Sequence, residues 1–216
     1  MIFHFDEKKS TPLCEIMERY GSDKGSMNIE TCWHNYTTFY YSLFKERRQD
    51  TLRIFELGLG TNNLDVPSHM GIDGKPGASH YGWEEFFPNS TIFGADIDSR
   101  ILFTTDKIKT FYCDQTNTDS IQKLWNEPIL QDNFDIIIED GLHLFHANVC
   151  FFENSIHKLN KNGYFIIEDI SFRNYPLFVE KIPYWEFRYS NCSFTLLKIP
   201  LSTNQGDNTL LVVFKS

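Results

Sequence analysis

Two short apolar stretches that end in adjacent carboxylates constrain the fold of this chain most strongly. The first is FDIIIEDGLH, from Phe134 to His143, and the second is GYFIIEDI, residues 163–170. A segment with a helical pattern separates them. Strands joined through a helix are typically parallel neighbours in one sheet, and their carboxyl ends then lie at the same edge. We therefore expect a carboxylate cluster there, which suits a bound metal ion.

The chain from Thr51 onward alternates apolar strand patterns with amphipathic segments, which is typical of an α/β fold. The last strand follows a turn-rich segment that contains Gly206 and Asp207, which indicates an antiparallel hairpin. Strands are predicted at 52–57, 91–96, 108–113, 134–139, 163–168, 185–190 and 209–215. Helices are predicted at 79–87, 98–105, 118–126, 143–159 and 174–181.

Residues 1–50 lack a strand pattern and are predicted to form an N-terminal helical cap before a catalytic domain at 51–216. Aromatic residues recur there at three- and four-residue steps, which places them on one face of a helix. Packing against the sheet is the favoured interpretation of this face, with a substrate platform as the alternative. The residues are Trp33, Tyr36, Phe39, Tyr40 and Phe44.

Charge and composition exclude several classes of protein. The formal net charge is −9, and Lys45–Arg48 is the main basic run, so a nucleic-acid-binding protein is not expected. The five cysteines are widely spaced and are expected to be reduced. No apolar stretch approaches the roughly 20 residues of a membrane span. We expect a cytoplasmic protein of this length to form one compact unit.

A glycine-containing loop follows the first predicted strand in the sequence RIFELGLGTNN, residues 53–63. Gly58 and Gly60 would let the backbone approach a ligand closely, as glycines do in nucleotide-binding folds. The spacing departs from the dinucleotide fingerprint because Asn62 and Asn63 occupy the next positions. A polar insert at 64–77 then separates the loop from the next helix.

Polar residues also end the next two predicted strands. Asp96 and Asp98 close TIFGADID, and Asp114 and Gln115 follow Cys113. A carboxylate at the end of the second strand is where nucleotide-binding folds accept hydrogen bonds from a ribose. Capping of the following helix is the alternative for Asp98. Four consecutive strands with polar ends favour a bound nucleoside.

These motifs together resemble a known family. ELGLG, GADID, CDQ and IIIEDG are similar to the successive motifs of class I S-adenosylmethionine-dependent methyltransferases. Within that superfamily the chain most resembles the macrocin- and mycinamicin-type sugar O-methyltransferases. They share a Gly-Ser-Asp-Lys element, here Gly21–Lys24, an aromatic-rich helix, and Asp-Gly-x-His before a later Glu-Asp. The resemblance implies a Rossmann-like sheet of seven strands in the order 3-2-1-4-5-7-6.

The resemblance also assigns residues to the methyl donor. Glu56, Gly58 and Gly60 would line the methionine end, Asp96 would bind the ribose, and Asp114 with Gln115 would bind the adenine. Glu139 would face the cofactor. Lys24, beside Asp23, would close over the cofactor, with a solvated turn as the alternative for this pair.

For the acceptor side, the resemblance implies a divalent cation held by Asp140, Glu168 and Asp169, with His143 as the general base. Oxygen ligands suit Mg²⁺, with Mn²⁺ or Ca²⁺ as alternatives. A position in the first turn of a helix would lower the pKa of His143 and favour its neutral form. Without a metal, Asp140 and Asp169 would instead cap the helices that follow them.

The sequence therefore predicts an O-methyltransferase that acts on a hydroxyl of a sugar or saccharide, free or nucleotide-linked. One alternative is an N-methyltransferase of an amine or a phosphorylated amino alcohol. Another is a nicotinamide-dependent reductase that uses Tyr41 and Lys45, and a third is a cofactor-binding protein without catalysis. A homo-oligomer is compatible with the sequence.

Overall fold

A single seven-stranded sheet forms the centre of the protein. The computed structural model describes residues 1–216. Its strands are β1 (Arg53–Leu57), β2 (Thr91–Asp96), β3 (Ile108–Tyr112), β4 (Phe134–Glu139), β5 (Leu159–Ile167), β6 (Cys192–Lys198) and β7 (Thr209–Lys215). They lie in the order β3-β2-β1-β4-β5-β7-β6, and β7 is antiparallel to both of its neighbours. The predicted fold class, strand order and final hairpin are confirmed.

Three helices cover each face of this sheet. The helices are α1 (Pro12–Tyr20), α2 (Tyr36–Phe44), α3 (Ala78–Phe86), α4 (Thr118–Trp125), α5 (Phe145–Ser155) and α6 (Tyr175–Arg188). Residues of α1, α2 and α3 share one hydrophobic core, and residues of α4, α5 and α6 share the other. No helix combines the length and apolarity needed to cross a membrane.

The central strands are mostly apolar because both of their faces are covered. In β4, Ile136 and Ile138 pack into the core beneath α1–α3, whereas Ile137 packs into the core beneath α4–α6. Ile54 and Phe55 divide in the same way in β1. The run FDIIIE is therefore a buried parallel strand, and its polar end is the first point at which a side chain meets a ligand cavity.

The predicted strand at 185–190 is wrong. Residues 185–188 are the last turn of α6, and the edge strand β6 begins at Cys192. The preceding helix was predicted to end at 181, but α6 continues to Arg188 through Pro183, although proline lacks a backbone donor. Packing explains the continuation, since Trp185 and Phe178, seven residues apart, contact each other on the buried face of α6.

The predicted helix at 98–105 is also wrong. The chain forms only a short 3₁₀ turn at Ser99–Ile101. Thr104 then makes an antiparallel bridge with Lys109, and the Phe103 amide donates to the Thr110 hydroxyl at 2.6 Å. These bonds to the start of β3 hold the segment in an extended conformation.

Gly58 lies where β1 leaves the sheet, and its φ is +97°. A Cβ atom there would lie 1.9 Å from the carbonyl oxygen of Asp140, so the two strand ends are in direct backbone contact. Gly71 has a similar φ of +78°, but nothing lies within 4 Å of its Cβ position. Conformation and space therefore both require glycine at position 58.

The packing of α6 predicts unequal effects of two substitutions within that helix. Trp185 is fully buried, packs on Phe152 and donates to Glu153, whereas Phe187 is 87% exposed. We expect Trp185→Ala to lower the free energy of unfolding by about 3–5 kcal/mol, because it leaves a cavity. Phe187→Ala should change it by less than about 0.5 kcal/mol. Urea denaturation measures both, and similar losses would contradict the packing of this helix.

Gly58→Ala should destabilise the protein more than Gly71→Ala. Both changes place a side chain in a left-handed conformation, which costs about 1–2 kcal/mol. Only the change at 58 adds a clash with Asp140. Thermal unfolding of the two variants gives the comparison, and equal losses would argue against the close approach of the two strand ends.

Candidate functional site

A cavity of about 500 Å³ opens at the carboxyl edge of the sheet. It lies across β1 and β4, where the strand order changes direction, which is the usual ligand position in such sheets. Eight of the residues predicted to form the site line it, namely Gly58, Gly60, Asp96, Asp114, Gln115, Asp140, His143 and Asp169. The other four predicted residues, Lys24, Glu56, Glu139 and Glu168, are buried and are absent from its lining.

Asp96 fixes the glycine loop through its side chain. Its two carboxylate oxygens accept from the amide of Leu59 at 2.7 Å and from the amide of Asp98 at 2.8 Å. Burial raises the pKa of Asp96. The carboxylate lies at the cavity wall, where it is able to accept further hydrogen bonds from a ligand.

Asp98 performs a different task from Asp96. Its carboxylate accepts from Arg100, from the Thr61 hydroxyl at 2.6 Å and from the Asn63 amide at 2.7 Å. The hydrogen bond from Arg100 is the main reason that the pKa of Asp98 is lowered. It also caps the 3₁₀ turn by accepting from the Arg100 amide at 3.1 Å, so the capping interpretation is confirmed.

Glu56 and Glu139 lie behind the cavity wall. Glu56 accepts from Ser79 at 2.6 Å and from the indole of Trp83, both on α3. Glu139 accepts from the side-chain amide of Gln115 at 2.8 Å and from the side-chain amide of Asn148 on α5. Burial raises the pKa of Glu139. In this structure both carboxylates hold neighbouring elements in place.

Asp140, His143 and Asp169 form a compact cluster at the other half of the cavity. Each offers one ligand atom, and these atoms lie within 4.8 Å of one another. His143 Nδ1 lies 3.9 Å from Asp140 and 3.7 Å from Asp169, and it is buried without a hydrogen-bond partner. The two carboxylates offer the oxygen ligands that a hard divalent cation prefers. The residues therefore fit the metal that the resemblance implies.

The position of His143 differs from the prediction. Helix α5 begins at Phe145, so His143 precedes the helix, with a φ of +57°. Burial lowers its pKa, but the carboxylates of Asp169 and Asp140 outweigh this effect and raise the pKa above its usual value. The predicted lowering by a helix dipole is therefore wrong for this structure.

The capping alternative for the two aspartates is also wrong. Leu144 is the residue that precedes the first turn of α5, and Asn174 holds that position in α6. Neither Asp140 nor Asp169 caps these helices. Instead, Asp169 has a φ of +54° and accepts from the Tyr36 hydroxyl at 2.8 Å.

Lys24 extends from the loop between α1 and α2 into a group of carboxylates. Its ammonium donates to Asp140 at 2.5 Å and to Glu168 at 2.5 Å, and it lies 3.4 Å from Glu56. Burial lowers the pKa of Lys24, but these three carboxylates raise it well above its usual value. The side chain is only 2% exposed, which excludes the solvated-turn interpretation.

Glu168 therefore faces inward in this structure. It accepts from the Tyr40 hydroxyl as well as from Lys24, and burial raises its pKa well above the usual value. Asp169, the next residue, points to the cavity instead. The metal-ligand set that the resemblance implied is thus divided between Asp140 and Asp169, which are partly buried and line the cavity, and the fully buried Glu168.

Sequence reasoning missed two contributions to this site. Tyr36 and Tyr40 were assigned to core packing, yet their hydroxyls also reach Asp169 and Glu168. Their four-residue spacing on α2 is the signal that could have indicated a shared polar target. The insert was given no role, but residues 66–70 line the cavity, and Met70 is held by a backbone bond to Thr61.

Comparison with known proteins gives the following relatives. No protein-family profile matches the chain. It is 27% identical over 158 residues to a Streptomyces olivaceus O-methyltransferase of a rhamnosyl tetracenomycin, and covers 36% of that protein. It is 28% identical to demethylmacrocin O-methyltransferase of Streptomyces fradiae over 77% of this chain and 38% of the relative. The chain spans about two fifths of the length of such relatives.

Solved structures confirm the fold. The MycE methyltransferase of mycinamycin biosynthesis, solved with Mg and SAH, superposes with a TM-score of 0.72 at 20% identity. The match covers 97% of this chain and 56% of MycE. Human methyltransferase-like protein 13 matches with a TM-score of 0.53. The chain has the class I methyltransferase fold and is similar in sequence to the macrocin- and mycinamicin-type sugar O-methyltransferases, as its motifs indicated.

Proposed function

We propose that the protein is an S-adenosylmethionine-dependent O-methyltransferase that modifies a hydroxyl of a sugar or saccharide with the help of a divalent cation. The observation that carries the proposal is the continuity of the cavity. One space joins the glycine loop and Asp96 to the cluster of Asp140, His143 and Asp169. Methyl transfer needs a donor and an acceptor side by side, with reacting atoms about 3–3.5 Å apart.

The donor half would hold S-adenosylmethionine through main-chain and carboxylate groups. Gly58 and Gly60 leave room for the methionine part, Asp96 would accept from the ribose hydroxyls, and Asp114 and Gln115 would contact the adenine. The bound donor supplies a methyl group on a sulfonium, whose C–S bond breaks as the C–O bond forms. Glu56 and Glu139 support this half from behind, through their bonds to α3 and α5.

The acceptor half would place the sugar hydroxyl beside Asp140, His143 and Asp169. A sugar hydroxyl does not ionise near neutral pH, so its proton must be accepted as oxygen attacks. A cation held by Asp140 and Asp169 would supply positive charge beside that oxygen. Neutralising these two carboxylates removes the two largest of the effects that raise the pKa of His143. Its imidazole would then be neutral and able to accept the proton.

The charge of the cavity favours an acceptor without phosphate. Its lining contains no lysine and no arginine. It includes six aspartates, Asp23, Asp96, Asp114, Asp140, Asp169 and Asp207. Phosphate recognition normally uses arginine, lysine or the N-terminus of a helix. We therefore propose a saccharide that is free or attached to a neutral scaffold, in preference to a nucleotide-linked sugar.

A partly exposed tryptophan offers a surface for that saccharide. Trp33 lines the cavity and is 56% exposed, whereas the four other aromatic residues of the predicted helix face are fully buried. An indole face packs well against the apolar face of a sugar ring or an apolar scaffold. The platform interpretation thus applies to Trp33, and the packing interpretation applies to the rest.

The reductase alternative lacks support from the geometry. Tyr41 packs against Phe86, and neither Tyr41 nor Lys45 lines the cavity. The N-methyltransferase alternative keeps the same donor half, and an anionic cavity is compatible with an amine. The two acceptor classes are therefore compared directly in the assay below.

Asp140→Asn should strongly slow methyl transfer to a saccharide while adenosylhomocysteine binding is kept. The substitution removes a carboxylate from the acceptor half and leaves Asp96 and the glycine loop unchanged. We expect the rate to fall by about 100-fold or more, as loss of a positioned charge commonly does. Methyl transfer from a labelled donor to a saccharide panel, with Mg²⁺ or with a chelator, measures the rate, and calorimetry measures binding.

Asp106→Asn, at an exposed position, is the matched control. Transfer that is unaffected by both the chelator and Asp140→Asn would refute the metal role. Transfer to amines but not to saccharides would replace the proposal by the N-methyltransferase alternative.

The charge of the cavity also predicts acceptor preference. Neutral saccharides should be methylated at least about 10-fold faster than their phosphorylated or nucleotide-linked counterparts at equal concentration, because lining aspartates outside the proposed cation site, such as Asp23 and Asp207, would repel a phosphate, and a 10-fold difference corresponds to about 1.4 kcal/mol. The ratio of kcat/KM for a sugar and its phosphate tests this. A preference for the phosphate would contradict the proposed acceptor class.

A further inference from the structure

Lys24 is a permanent positive charge inside a group of acids that is proposed to bind a cation. Its ammonium contacts Asp140, one of the cluster residues that face the cavity, and Glu168, the buried member of the motif. Asp140 lies 116 residues from Lys24 in the sequence, and Glu168 lies 144 residues from it. No surface lysine in a solvated turn would make such contacts by chance.

The backbone fixes the position of that charge. The carbonyl oxygen of Lys24 accepts from the amide of Thr37 at 3.1 Å, at the start of α2. A Cβ atom at Gly25 would lie 1.8 Å from the Thr37 hydroxyl oxygen, so the loop is in tight contact with the helix. The ammonium is therefore held among the acids by the fold, and it does not depend on a flexible surface side chain.

Lys24 accounts for only part of the negative charge around it. Four carboxylates, those of Glu56, Asp140, Glu168 and Asp169, approach one another at the ends of β1, β4 and β5. Three of them contact Lys24, whereas Asp169 lies 3.5 Å from His34 and 3.7 Å from His143. One ammonium carries a single positive charge against three carboxylates, so net negative charge remains, and Asp140 and Asp169 line the cavity.

We propose that Lys24 acts as an internal cation that competes with the divalent metal and sets its affinity. This inference rests on the metal site of the proposed function. A divalent ion at Asp140 and Asp169 would share Asp140 with the ammonium and be repelled by it. Lys24 therefore stabilises the metal-free protein and weakens metal binding, so that the cation exchanges readily.

The test compares Mn²⁺ binding by the Lys24→Met variant and by the wild type. The electron paramagnetic resonance signal of free Mn²⁺ measures the binding. Loss of the ammonium removes a repelling charge, so Mn²⁺ should bind at least about 10-fold more tightly than to the wild type. The thermal midpoint of the metal-free variant should fall, and Mn²⁺ should raise it by more than it raises that of the wild type. A lysine with only a structural role would lower the midpoint without tightening Mn²⁺ binding.

Two further variants keep the result interpretable. Lys24→Gln is also uncharged but retains a hydrogen-bond donor for Asp140 or Glu168, and it should bind Mn²⁺ more tightly as well. Lys123→Met removes the same formal charge from an exposed position on α4 and should bind Mn²⁺ as the wild type does. Mn²⁺ affinity of both Lys24 variants equal to that of the wild type would overturn the inference. So would failure of both variants to fold even with Mn²⁺ in excess.

Asp169→Asn separates this inference from the function on which it rests. One outcome is that Asp169→Asn alone abolishes Mn²⁺ binding while Lys24→Met alone leaves the Mn²⁺ affinity unchanged. In that case only the proposed role of Lys24 is wrong. If Mn²⁺ binding in both backgrounds is indifferent to Asp169→Asn, the proposed metal site itself is wrong and the inference falls with it.

Discussion

The repulsion among carboxylates at the ends of β1, β4 and β5 is the constraint on which this structure depends. Parallel pairing of these strands brings Glu56, Asp140 and Glu168 to one edge of the sheet. Lys24, in the loop before α2, reduces this repulsion with its positive charge. The hydroxyls of Tyr36 and Tyr40 on α2 donate hydrogen bonds to Asp169 and Glu168. The N-terminal segment is therefore part of the charge balance of the site.

The division of labour along the same edge gives the cavity two chemically different halves. Near the glycine loop, each acid has fixed partners, as Asp96 has in the amides of Leu59 and Asp98. Near Asp140 and Asp169, an imidazole nitrogen has no partner. The half near the glycine loop, whose acids already have hydrogen-bond partners, suits a ligand that is recognised in the same way at every turnover. The half near Asp140 and Asp169, where an imidazole nitrogen lacks a hydrogen-bond partner, suits a cation and an acceptor that bind and dissociate.

The sequence predicted those features that are local in the chain. Buried parallel strands give continuous apolar runs, so β2 and β4 were located at their correct bounds, and their polar ends identified Asp96, Asp140 and His143. Residues 185–190 were assigned wrongly because aromatic residues favour strands, whereas Trp185 is held in α6 by its contact with Phe178. In such cases tertiary packing outweighed local preference.

The features that could not be predicted depend on contacts between distant segments. Nothing near Lys24 in the sequence indicates its bond to Glu168, and the inward orientation of Glu168 follows from that bond and from Tyr40. Likewise, the insert at 64–77 has no recognisable pattern, and its place on the cavity wall follows from bonds such as that of Met70 to Thr61.

The central claim is that one cavity brings a methyl donor and a cation-held acceptor together at this edge. A crystal structure with adenosylhomocysteine and Mn²⁺ tests it most directly. We expect adenosylhomocysteine along Gly58, Gly60 and Asp96, with an anomalous Mn²⁺ peak at Asp140 and Asp169. Ordered adenosylhomocysteine without a Mn²⁺ peak at these two residues would contradict the account.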